Sequence, residues 1–96
     1  MDEKPKELID LEKMARACPP NAGLKVELGN RYLELGFYIV AMRHYKSAIL
    51  LEPNCKEAHH NLILAMDKIA EKPEYRESMQ GKKEFLSAVM AKISHA

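Results

Sequence analysis

Residues 24 to 53, LKVELGNRYLELGFYIVAMRHYKSAILLEP, constrain the fold more than any other stretch of the chain. Leu24, Leu28, Tyr32 and Leu35 recur at i, i+4, i+8 and i+11, which aligns them along one face of a helix. Ala41, Tyr45, Ala48 and Ile49 repeat the pattern in the second half. Leu35-Gly36-Phe37 falls between the two stripes, and glycine takes the left-handed conformation after a helix without a Cβ penalty. Glu52-Pro53-Asn54 closes the stretch, because proline biases the residue before it away from the helical region. Two short helices must therefore run back on each other, and the rest of the chain reads as cover for this hairpin.

Small residues set how closely the two helices approach. Gly29 on the first and Ala41 and Ala48 on the second admit the facing backbone, with Leu28, Tyr32 and Tyr45 filling the space beside them. The set Leu28-Gly29, Tyr32, Ala41, Tyr45, Ala48 and Pro53 resembles a tetratricopeptide repeat (TPR), a helix-turn-helix unit with a period of about 34 residues. Lys25 departs from it, standing where the family often has a large aromatic or apolar residue. The resemblance implies an all-α fold of antiparallel helix-turn-helix repeats, a short right-handed α-solenoid, with residues 22 to 55 as one full repeat.

The flanks follow from the same register within a single expected domain spanning residues 1 to 96. Residues 5 to 17 form an expected helix, opened by Pro5, with Leu8, Leu11, Met14 and Ala15 on one face. Sliding the central repeat back places Pro53 on Pro19, so this helix takes the place of the second helix of a degenerate preceding repeat. Residues 56 to 72 carry Ala58, Leu62, Ala65, Met66 and Ile69 at helical spacing and form a following half repeat. Residues 73 to 95 then lose the pattern. Pro73 opens them, Gly81 interrupts them, and either one long helix or a turn plus a terminal helix fits, because a mid-helix glycine costs only about 1 kcal/mol. Phe85, Leu86, Val89, Met90 and Ile93 make an apolar stripe there that must be covered. It either folds back as a cap on the chain's own core or pairs with a second copy to make a homodimer.

The resemblance implies binding of a partner protein or peptide in a groove lined by the first helices of the repeats. The positions that would line it are Val26, Asn30, Leu33 and Glu34 of the full repeat and His60, Asn61, Leu64 and Lys68 of the next. Asn30 and Asn61 stand at a spacing similar to the two asparagines with which some members clamp the carboxylate tail of a heat-shock chaperone. Val26 occupies the place of that clamp's first cation, with Lys25 one residue away. An apolar floor of Val26, Leu33 and Leu64, flanked by amides that hold a partner's backbone, fits these residues better. Replacing Asn30 and Asn61 by alanine is expected to weaken binding with helical content unchanged.

Charge balance disfavours other partners. Lys+Arg 15 against Asp+Glu 14 gives a formal +1, which provides no general field for nucleic acid or an anionic membrane surface. The N-terminal MDEKPKELID has no apolar stretch of signal-peptide type, so the expected location is cytoplasmic. Cys18 and Cys55 read as two free, partly buried thiols in equivalent loops. His59 and His60 are helix neighbours pointing in different directions, and His44 and His95 have no carboxylate or thiol at ligand spacing. The four glycines are dispersed and form no phosphate loop. The expectation is a non-enzymatic interaction module that uses no cofactor or metal.

Overall fold

A computed structural model describes residues 5–17 and 19–95; the side chains of Met90 and of residues 92–95 are not described. Cys18 therefore lies outside the described residues, as do the side chains of Met90 and Ile93 in the expected terminal stripe. Among the described residues the chain is all-α, with five helices: α1 (Lys6–Ala17), α2 (Ala22–Glu34), α3 (Tyr38–Leu51), α4 (Lys56–Ala70) and α5 (Pro73–His95).

Each helix end has a local cause. The Asn21 Oδ1 accepts the Leu24 backbone N–H at 2.9 Å, capping the start of α2. At its other end Gly36 takes φ 87°, the left-handed turn that its place after Leu35 predicts. The Phe37 N–H then donates to the Tyr32 carbonyl at 2.9 Å and the Gly36 N–H to that of Leu33 at 3.1 Å, the paired bonds of a Schellman stop. The Phe37 ring completes the motif by meeting the Tyr32 ring edge-on, with centroids 6.1 Å apart. α3 ends two residues before Pro53, and α5 opens on Pro73. Of the two forms open for the last stretch, the structure adopts one helix that passes through Gly81 without a break.

Backbone packing runs α1 on α2, α2 on α3, α3 on α4 and α4 on α5, with a further contact between α2 and α4. Short connections force consecutive packed helices to be antiparallel neighbours. α2 and α4 consequently lie side by side, and α3 packs across both. The Cα envelope measures 36 × 34 × 14 Å. Helix axes about 8–10 Å apart, each with Cα atoms on a radius of about 2.3 Å, make that thinnest dimension two helices deep.

The core forms where the small residues meet. Ala41, Ala48, Ala58 and Ala65 are fully buried, which lets α3 and α4 come close, and Leu8, Leu28, Tyr45, Leu62 and Met66 are the largest side chains sealed between the helices. Gly29 shows how close the approach is: a Cβ there would lie 2.5 Å from Tyr45 Cε1, with two further ring carbons inside 3.0 Å. α1 is held by Leu8, which is buried, and by the Tyr32 hydroxyl, which donates to a Glu12 carboxylate oxygen. α5 is held by Met79, which is buried, by Leu86, which packs on the core, and by an ion pair between Lys83 and Asp67 of α4. Its stripe is covered only in part, since Phe85 remains 70% exposed.

Candidate partner-binding groove

The side-by-side placement of α2 and α4 brings together five of the eight residues expected to line a groove: Asn30, Leu33, Asn61, Leu64 and Lys68. Asn30 and Asn61 meet directly: the Asn61 Nδ2 donates to the Asn30 Oδ1 at 2.9 Å. The same oxygen accepts the Tyr45 hydroxyl at 2.7 Å, so a single amide oxygen ties α2, α3 and α4 together. One turn further along each helix, Leu33 and Leu64 line a common hollow of about 390 Å³ with Tyr38, Asp67, Lys68 and Glu71. Leu64 is 43% exposed and Leu33 is half-buried.

The other three are placed differently, and Glu34 lines a separate hollow beside Leu8 of α1 and Arg31. Val26 is 4% exposed and belongs to the core, because it lies one turn from both Ala22 and Gly29 on the face that α2 buries. It is not part of an open groove floor. His60 is exposed on α4, one turn before Leu64 and on the face that Leu64 shares, but it does not line the hollow. Tyr38, Asp67 and Glu71 were not among the expected groove residues. Stepping along α4 from Leu64 by three and by seven reaches Asp67 and Glu71, so helical periodicity contained that signal. Tyr38 could not be found this way, since the Schellman turn alone decides where α3 begins.

Burial pushes the Tyr45 phenol up to about 12, with the carboxylates of Glu57 and Glu34 adding to the effect. Tyr45 therefore keeps its proton and acts as a firm donor to Asn30. Around the hollow the charges are paired, Lys68 with Glu71 at 3.7 Å and Asp67 with Lys83, while Arg31, paired with Glu27 at 3.1 Å and Glu34 at 3.3 Å, lines a separate hollow beside Leu8 of α1. These are exposed pairs of small individual worth. The groove is thus neutral along its middle, with amides and leucines beside compensated charge on α4.

The double role of the Asn30 oxygen changes the expectation attached to it. Alanine at position 30 takes the acceptor from a fully buried hydroxyl as well as from Asn61. Asn30→Ala is expected to lower the unfolding free energy by about 2 kcal/mol, measured by urea denaturation, because a buried donor left unpaired bears its full desolvation cost. Asn61→Ala strips no buried hydroxyl and should cost less than half as much. Equal costs for the two would contradict the network.

Two histidines occupy structural positions. The ring of His59 is buried, and its Nε2 lies 2.9 Å from the Pro53 carbonyl, an acceptor that requires the proton on Nε2. His44 stacks on Tyr32 with centroids 5.4 Å apart and planes 13° from parallel. Cys55 is a free, half-buried thiol just before α4. Among the described residues, no three histidine, cysteine, aspartate or glutamate side chains gather where they could hold a metal ion. No helix among them is long and apolar enough to cross a membrane. No protein-family model matches the sequence, and no curated protein matches it.

Proposed function

We propose that the chain is a TPR-like protein-interaction module whose groove between α2 and α4 holds a segment of a partner protein. The observation that carries this reading is the rung formed by Asn30 and Asn61. Oδ1 of Asn30 and Nδ2 of Asn61 are spent on each other and on Tyr45, while Nδ2 of Asn30 and Oδ1 of Asn61 have no bond among the described residues. Neither atom is sealed from solvent. A free amide donor beside a free amide acceptor matches the N–H and C=O of a peptide group, and Leu33 and Leu64 one turn away offer an apolar seat for the next side chain. The rung is also held still by a buried tyrosine, so little order has to be imposed on binding.

Leu64 is the clean probe, because it is exposed and leaves the Asn30 network intact. For a peptide selected against the whole chain from a random library, Leu64→Asp is expected to weaken binding at least about tenfold, as loss of an apolar anchor does. Circular dichroism should show unchanged helix. Binding that survives Leu64→Asp but fails with Leu50→Asp, on α3, would place the site on the other side of the molecule.

A further inference from the structure

The opposite side of α4 carries a second groove. α3 and α5 both pack on α4 but their backbones do not meet, and the gap between them is a hollow of about 560 Å³. Leu62 and Met66 of α4 make its floor, Ile49 and Leu50 of α3 one wall, and Phe85 and Leu86 of α5 the other. Leu50 at the lip is 84% exposed and Phe85 facing it is 70% exposed. Apolar side chains of this size on both lips of a groove are the pattern of an interaction surface.

The charge of the groove selects its occupant. Its charged lining residues are Lys46 and Lys82, and among the described residues no carboxylate lines it. Neither lysine has an ion-pair partner among the described residues, in contrast to the neighbouring Lys83, which is held by Asp67. Two uncompensated cations beside an apolar floor favour carboxylates flanking an apolar stripe. A second copy of this chain is a poorer match: beside Phe85 its α5 offers one carboxylate, Glu84, already bonded by Gln80, together with Lys82 itself.

We infer that the α3/α5 groove is a second protein-docking surface, which takes an amphipathic helix of a different protein with leucine-type anchors and flanking carboxylates. A helix is the form that fits a channel between two helices, presenting anchors at i, i+3 or i+4, and i+7 to Leu62, Met66 and the lips. The site is independent of the groove between α2 and α4, since it shares no residue with Asn30, Leu33, Asn61 or Leu64.

The test uses the full chain and two designed helical peptides about 18 residues long, each with leucines on one face and either glutamates or lysines beside them. Fluorescence anisotropy should show the glutamate peptide binding at least about tenfold more tightly than the lysine peptide. The Lys46→Glu, Lys82→Glu double variant should reverse that order. Leu50→Ala with Phe85→Ala should abolish binding of both, while Leu64→Asp should leave them untouched. All these positions are exposed, so circular dichroism should report an unchanged fold. Absence of binding by the glutamate peptide, equal affinity for the two peptides, or an unreversed preference in the double variant would overturn the inference. So would a wild-type homodimer in sedimentation that Leu50→Ala and Phe85→Ala dissolve, because the groove would then belong to a second copy.

Discussion

Gly29→Val is expected to cost at least about 4 kcal/mol, near the whole stability of a domain of this size, and so to leave the chain largely unfolded. Gly29→Ala should cost about 2 kcal/mol net. The alanine case is the sharper one, because its sign opposes helix propensity: in a free helix, alanine is better than glycine by about 1 kcal/mol. Here the added carbon would come within 3.0 Å of three carbons of the Tyr45 ring. The ring has nowhere to go, being fully buried and fixed through its hydroxyl to Asn30. Overpacking of that kind costs about 1–3 kcal/mol where a neighbour can yield, and more where it cannot. The diagnostic comparison is Gly29→Ala in a Tyr45→Leu background, where the clash is gone and alanine should become neutral or stabilising. Urea midpoints for the four proteins of that cycle give the coupling directly. If Gly29→Ala stabilises the otherwise unchanged chain, the close approach of α2 to α3 is wrong.

Alkaline conditions should act on the same tyrosine. Its phenol stands at about 12 in the folded chain against 10.0 for an unperturbed one, with burial the main cause and Glu57 and Glu34 adding to it. A folded-state value raised in this way means that the unfolded chain releases the proton first. Stability from this group is therefore complete below about pH 10 and is lost as the pH climbs through about 12, in all on the order of 3 kcal/mol. Lysines titrate in the same window, so the quantity to measure is the difference between the wild type and Tyr45→Phe. Urea stabilities of both at intervals from about pH 9 to about pH 12 should converge as the pH rises, since phenylalanine has no proton to lose. Parallel curves would mean that Tyr45 carries no such linkage.

The sequence was a good guide to periodic features and a poor one to pairings. Leu28, Tyr32, Ala41, Tyr45 and Ala48 were placed on inward faces by spacing alone, and all five are buried. Gly36 was legible because a positive φ after a helix has few other solutions. The meeting of Asn30 with Asn61 was not, because periodicity assigns a residue to a face without saying which polar atoms on that face satisfy one another. Val26 shows the converse error. Its expected place came from the resemblance, while its own spacing from Ala22 and Gly29 pointed to the core. In the last helix the pattern left two forms open, and it did not say which of the adjacent Phe85 and Leu86, about 100° apart on the helix, would face α4. Leu86 packs inward and Phe85 is left outside.

The bond between α2 and α4 also bears on how the molecule comes apart. In an array where each helix meets only its chain neighbours, opening starts at an end and travels one element at a time. The Asn30 oxygen links three helices at once, so α2, α3 and α4 share one opening event. α1 has no part in that bond, and among the described helices its backbone packs on α2 alone. Its amides accordingly exchange with solvent through a separate, cheaper opening, with the central three helices forming the slow-exchanging unit of the chain.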